Sequence, residues 1–351
     1  MFDLIDKPVP DMDQLDDGNK WVNFQKNEPQ GIAHVGNDWF LVSFQQSIEW
    51  LSMSRNEPQH YRRELGVDFD GLNQLFAGKM VNGRPIIFDG DHYRHIGDID
   101  YFGGLMFVPV EHSDYKNLEA KPLLVGLTTD FELVGYALLG GKTRIEVVPD
   151  TRSEVPDYSA ACCAVHRWNR SLLYVPSECD CDIDDAGRGS RLFAYDISSF
   201  YEARGDMGRE LEAPLLPEKT LYLYKEDGTP DVLGAGDTPE LHRGGVQVPP
   251  KERCVQGVAI SINGRIYVTE GFGKGHKNWL TIYDGFTRRR YGTRCYNFDG
   301  IGDELEGLTV DEQTGSVFIV VNDNTANLPL VGNVGTDWCD IYRYTYPGFA
   351  P

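Results

Sequence analysis

Apolar positions along the chain fall in short runs that alternate with polar ones and end at Gly, Pro, Asn or Asp, the pattern of half-buried strands and their turns. Five stretches also repeat one phrase: a small or polar pair, a few apolar residues, a turn, then a bulky residue followed by valine or its like. They run from Gln30-Gly31-Ile32-Ala33 to Trp39-Phe40-Leu41-Val42, and from Gly97-Asp98-Ile99-Asp100 to Leu105-Met106-Phe107-Val108. The third runs from Cys163-Ala164-Val165 to Leu173-Tyr174-Val175, the fourth from Gln256-Gly257-Val258-Ala259 to Ile266-Tyr267-Val268. The last runs from Glu306-Gly307-Leu308-Thr309 to Val317-Phe318-Ile319-Val320. Anchored on residues 40, 107, 174, 267 and 318, the repeats stand 67, 67, 93 and 51 residues apart.

Strand pairs repeating on this scale predict an all-β chain, a five-bladed β-propeller with blades of four antiparallel strands. A mean step of about 70 residues uses up the 351 residues as one domain, 1–351. The expected strands are 31–35, 39–44, 47–53 and 84–88 in blade 1, with 55–77 as an insertion that admits a helix. Blade 2 takes 99–102, 105–110, 122–128 and 132–139. Blade 3 takes 162–166, 171–176, 191–197 and 220–225, and blade 4 takes 258–262, 265–269, 279–283 and 289–295. Blade 5 has 308–311, 316–321 and 340–346, one strand short, so the N-terminal segment 2–9 is expected to close the ring and remove the exposed edge. A six-bladed alternative hides a further blade in the 93-residue step.

Composition sharpens this. The 38 Gly and 19 Pro suit many short turns, and aromatics at 12% suit strands packed between sheets. With 33 Lys and Arg against 54 Asp and Glu the net charge is −21, a field that repels nucleic acid and anionic membranes and favours cations. No apolar run is long enough to cross a bilayer, and the start lacks the regions of a signal peptide. A cytoplasmic protein and a secreted one with its leader removed both fit. Seven cysteines, including Cys162-Cys163 and the pair Cys179 and Cys181, lack zinc-site spacing and read as buried thiols or as disulfides. Oligomeric state is left open.

In a propeller the start of each innermost strand and the loop between the second and third strands open on one face. The resemblance to that architecture implies that Gln30, Asp98, Gln256 and Glu306 stand around the axis, with His95, Asp303 and Glu304 just upstream. Glu111, His112 and residues 178–185, 270–276 and 322–324 would line the same mouth. In its repeat plan and at Glu306-Gly307 the chain resembles the calcium-dependent propeller hydrolases of the lactonase and gluconolactonase kind, which generally have six blades. The resemblance implies a calcium held by the oxygens of Gln30, Asp98, Gln256 and Glu306 and polarising a substrate oxygen. His95 or His112 would move the proton, since a histidine beside carboxylates is held in one tautomer. Alternatively Asp98 and Glu306 form the carboxylate pair of a glycosidase.

Other motifs carry less. Residues 180–187 open like a calcium loop but have Asp185 where an EF-hand needs Gly and Arg191 where it needs Glu. Gly271-Phe272-Gly273-Lys274-Gly275 lacks the spacing of a phosphate loop, Arg288-Arg289-Arg290 reads as a solvated face, and neither a Gly-x-Ser-x-Gly elbow nor a His-Glu-x-x-His helix occurs. Two readings result. One is a hydrolase or lyase acting on a carbohydrate, lactone or similar polar small molecule at an axial, calcium-containing pocket. The other is a carbohydrate-binding or protein-interaction propeller without catalysis, in which Trp39, Trp50, Trp168, Trp279 and Trp338 line ligand sites.

Overall fold

Each repeated phrase folds as a hairpin: its opening apolar stretch is the innermost strand of a sheet, and its anchoring bulky residue lies on the second strand. The computed structural model describes residues 19–25, 28–53, 60–113, 121–140, 162–176, 190–231, 254–271, 278–296, 304–323 and 338–344. Blade 1 is Pro29–Gly36, Trp39–Phe44, Ser47–Met53 and Tyr61–Asp68. Blade 2 has an innermost strand in two pieces, Tyr93–Ile96 and Asp100–Phe102, then Leu105–His112, Leu123–Leu127 and Leu133–Leu138. Blade 3 is Ala164–Val165, Leu172–Pro176, Arg191–Asp196 and Leu221–Tyr222. Blade 4 is Cys254–Ile260, Arg265–Gly271, Asn278–Asp284 and Arg290–Tyr296. Blade 5 is Glu304–Asp311, Ser316–Asp323 and Trp338–Tyr344, completed by the N-terminal strand Asn19–Gln25. The chain is a five-bladed β-propeller.

The ring is held by its seams. Alternate side chains of each sheet face the two neighbouring blades, and the buried apolar residues sort into five clusters, one per seam. The closing seam joins Ile32, Phe40, Val42 and Phe44 of blade 1 to Phe318, Val320, Cys339 and Ile341 of blade 5. Each such Ile, Val or Phe is worth roughly 1.5–3 kcal/mol relative to exposure, so apolar contact rather than the last strand's hydrogen bonds dominates closure.

Two expectations are corrected. The fourth strand of blade 1 is Tyr61–Asp68, paired from Ser47↔Asp68 to Met53↔Tyr61, and not 84–88. Of its eight residues only Val67 is buried, so no apolar alternation marks it. The helix Phe69–Leu75 follows directly, capped by Asp68, whose side chain accepts the Gly71 N–H at 2.9 Å. Arg84–Pro85 instead forms a small hairpin with Met80–Val81. The strand closing blade 5 is Asn19–Gln25, paired from Asn19↔Arg343 to Gln25↔Trp338, whereas residues 2–9 lie outside the described residues. A bulge between Lys20 and Val22 breaks its alternation and hides it in the sequence. The long step after blade 3's hairpin holds no extra blade among the described residues. The helix Ser198–Glu202 and the strand Arg209–Glu210 fill it, the latter adding in parallel to the outer edge of blade 2.

Candidate functional site

The innermost strands slip register at one shared place: between Pro29 and Gly31, between Val255 and Gly257, and between Leu305 and Leu308. The repeated Gln-Gly and Glu-Gly pairs are therefore β-bulges that recur from blade to blade. In blade 2 the strand breaks at the same point, Gly97-Asp98, and Asp98 bridges in parallel to Cys162 of blade 3. Gly31, Asp98, Cys162, Gly257 and Gly307 thus ring the axis. A Cβ on Gly31 or Gly307 would overlap Asp98, so these two positions are glycine because the carboxylate occupies their side-chain space, whereas at Gly257 a Cβ would first meet the Thr269 hydroxyl and the Gly307 Cα.

Innermost strands have no neighbour on their axial edge, which leaves their N–H groups unpaired. Asp98 supplies the acceptor. Its Oδ1 accepts the Ile32 N–H of blade 1 at 3.1 Å and its Oδ2 the Leu308 N–H of blade 5 at 3.3 Å; the Val258 N–H of blade 4 joins them. Its carbonyl accepts the Cys163 N–H of blade 3 at 3.3 Å. One residue therefore ties all five blades. Burial pushes its carboxyl well above the usual range, the three N–H groups pull it back in part, and Asp100 pushes it up again. Both oxygens of Asp98 thus face backbone N–H groups of other blades. Among the described residues no group of three or more His, Cys, Asp or Glu is arranged to hold a metal.

Ahead of Asp98 the strand Tyr93–Ile96 carries His95. It pairs with Glu111, and Asp100 pairs with Phe107, on the regular strand Leu105–His112. Phe107 and Glu111 are an even number of residues apart, so His95, Glu111 and Asp100 share one face of blade 2, the face packed toward blade 3. His95 Nδ1 lies 3.0 Å from Glu111 Oε2, and Arg94 donates to the other oxygen at 2.9 Å. Burial raises the Glu111 carboxyl, but His95 and Arg94 outweigh it and hold it below the ordinary value. A carboxylate so held only accepts, so Nδ1 carries a proton and, in the neutral imidazole, Nε2 carries the lone pair. The His95 side chain is 21% exposed. His112 packs edge-on against Tyr93, with ring centroids 5.1 Å apart, and stands outside this dyad.

The remaining expected residues sit on the lip. Glu306 is 3% exposed, and its carbonyl accepts the Thr269 hydroxyl of blade 4 at 2.6 Å. Gln30 Nε2 donates to the Glu28 carbonyl at 3.5 Å, and Gln256 is half-buried at the equivalent bulge. Further buried polar side chains stand at the same end of other blades: Glu49 with Arg63 at 2.7 Å, Arg191, Glu270, Asn278, Asn322 and Asp340. Residues 180–187 and 272–275 lie outside the described residues, as does His276.

Sequence reasoning missed the charged network at the opposite end of the axis. There Arg167, just beyond the innermost strand of blade 3, makes a two-pronged pair with Asp100 of blade 2 at 2.7 and 2.9 Å. Its Nε lies 3.7 Å from Glu312 of blade 5, which also accepts the Ile262 N–H of blade 4 at 2.9 Å. Burial pushes the Glu312 carboxyl up to about 7 against the pull of Ile262 and Arg167. This network spans four blades and closes the floor. Cys162, Cys163 and Cys339 are buried thiols, and burial raises Cys163 and Cys339 well above the ordinary thiol value. Trp39 and Trp50 meet edge to face at 5.7 Å on blade 1, away from the axis.

No protein-family model matches the chain, and no curated protein is similar to it. Solved structures similar in outline include a point mutant of the α-L-arabinanase of Cellvibrio cellulosa, at 11% identity and TM-score 0.46 over 91% of this chain and 92% of that one. The PQQ-bound aldose sugar dehydrogenase of Streptomyces coelicolor is 11% identical, with TM-score 0.44 over 93% and 96%. The WD40 β-propeller domain of Doa1 is 7% identical, with TM-score 0.35 over 91% and 94%. None of them lends this chain a residue role.

Proposed function

We propose that this propeller is an enzyme acting on a carbohydrate or similarly polar small molecule at the mouth above Asp98, with His95 as general base oriented by Glu111. The observation that carries the reading is the 3.0 Å pair of His95 Nδ1 with a carboxylate fixed on its far side by Arg94. An imidazole so held presents Nε2 in one orientation and is stabilised as it gains charge, as proton abstraction requires. In a hydrolytic turn Nε2 takes the proton of a water while the water oxygen bonds to the reacting carbon. The imidazolium then returns that proton to the departing oxygen. Buried acceptors on the lip, Glu306 among them, suit the hydroxyl groups of a sugar. Asp98 contributes by closing the pocket from below, and no step passes through its carboxyl.

The test is turnover of a panel of chromogenic glycosides and sugar lactones by wild type, His95→Gln and Glu111→Gln, each checked for unchanged thermal melting. A general base supplies about 10²–10⁴-fold, so His95→Gln is expected to lose that much, and Glu111→Gln less. Wild-type turnover by His95→Gln, or no turnover of any panel member by wild type, overturns the reading.

A further inference from the structure

The far end of the axis carries a second surface that the dyad does not use. Trp168, Ile262 and Phe286 are 50%, 50% and 61% exposed there, where soluble proteins seldom group large apolar side chains. The Trp168 and Phe286 rings lie 5.2 Å apart at 38° and form one slightly bent platform. Beneath them is Gly264, in the left-handed region at φ +79, where a Cβ would stand 3.1 Å from both rings. The missing side chain lets the two rings come together.

The turns that carry the two rings are tied down. His166 Nδ1 accepts the Trp168 and Asn169 N–H groups at 3.2 and 3.1 Å, and Asp284 accepts the Phe286 N–H at 2.9 Å. The Gly285 N–H reaches the Gly264 carbonyl at 2.7 Å and joins the two turns of blade 4. Turns fixed before a ligand arrives lose little backbone entropy on binding. At the border is Glu312, tied to the Ile262 N–H and with its side chain 29% exposed, and the His166 ring lies 5.9 Å from Trp168.

Size and charge choose the occupant. A stable protein partner needs about 800 Å² on each side, and two part-exposed aromatics with one isoleucine supply far less. The net charge of −21 disfavours anionic lipid. A flat apolar platform edged by hydrogen-bonding groups suits a ring with an apolar face and a hydroxyl rim. We propose that the Trp168–Phe286 platform binds a neutral carbohydrate chain, at a site separate from the His95–Glu111 mouth.

The test is electrophoresis of the full chain through gels containing soluble xylan, arabinan or mixed-linkage β-glucan, followed by titration calorimetry with the matching hexasaccharide. At least one polysaccharide is expected to retard the wild type. Trp168→Ala should weaken association about tenfold or more, and Trp168→Phe should retain most of it. Both positions are exposed, so folding is not at issue, and thermal melts confirm it. His95→Gln should be retarded like wild type, so a failure of the catalytic reading leaves this result standing. Absence of retardation by all three polysaccharides, or retardation that survives Trp168→Ala/Phe286→Ala, overturns the proposal.

Discussion

The two ends of the propeller axis hold charged groups of the same kinds and use them oppositely. At the mouth, Arg94, His95 and Glu111 pair within one blade, and the imidazole keeps part of its surface in solvent. At the floor, Asp100, Arg167 and Glu312 come from three blades and pair across the channel, and Arg167 is 7% exposed. Charges that join blades serve the ring; charges satisfied inside one blade leave an atom over for chemistry. Asp98 separates the two ends, and it is the place to break the comparison most severely.

Asp98→Leu leaves the N–H groups of Ile32, Val258 and Leu308 buried without an acceptor. At about 1–3 kcal/mol each, the loss is about 3–9 kcal/mol, against a total stability of about 5–15 kcal/mol. The variant is expected to be barely folded in urea titrations, while Asp98→Asn, which keeps one acceptor oxygen, falls between it and wild type. Unfolding of Asp98→Leu within about 1 kcal/mol of wild type would show that the blades do not depend on this carboxylate.

Arg167→Met comes next. It strands the Asp100 carboxylate, which is 4% exposed, and breaking one side of such a buried pair costs about 3–5 kcal/mol. Asp100→Leu added to Arg167→Met is expected to recover part of that loss, because two apolar groups need no solvation. A double variant less stable than the single would mean that Asp100 has a second role, apart from holding the arginine.

Glu312 tests the floor with pH. Its folded carboxyl titrates near 7 against an ordinary 4.5, so the proton is held more tightly in the folded protein. The contribution to stability is fully present below pH 4.5 and is lost as pH rises through about 7. Across that window wild type is expected to lose about 2–3 kcal/mol relative to Glu312→Gln, allowing for the part-exposed side chain. Parallel stability curves from about pH 4.5 to 7.5 would show that Glu312 is not buried against Arg167 in solution.

Legibility in the sequence followed the same division. Blades 2 to 4 were readable because their strands alternate between two apolar seams. Tyr61–Asp68 and Asn19–Gln25 were not, because the first is nearly all exposed and the second is bulged. His95 stood out beside a run of acids, yet its partner Glu111 comes from the next strand and emerges only from register. Asp98 was visible as one of a set of strand starts. What it does depends on the glycines of blades 1 and 5 and on N–H groups that no local pattern records. Arg167 gave no signal at all, since its partners lie on blades 2 and 5.

The smallest test compares two threonines that hold one hydrogen bond each across a seam. Thr309 on the floor side accepts the His34 N–H at 3.1 Å, and Thr269 on the mouth side donates to the Glu306 carbonyl at 2.6 Å. Valine keeps each shape and removes each hydroxyl. An N–H left without an acceptor costs more than an under-satisfied carbonyl, so Thr309→Val should cost about 1–2 kcal/mol and Thr269→Val about 0.5–1 kcal/mol. Turnover should rank the other way, because Thr269 positions Glu306 on the lip and Thr309 touches nothing at the mouth. The milder destabilisation accompanied by the greater loss of turnover is what a structural floor and a chemical mouth require. The reverse order, read from melts and rates on the same two variants, would move the chemistry to the Arg167 end.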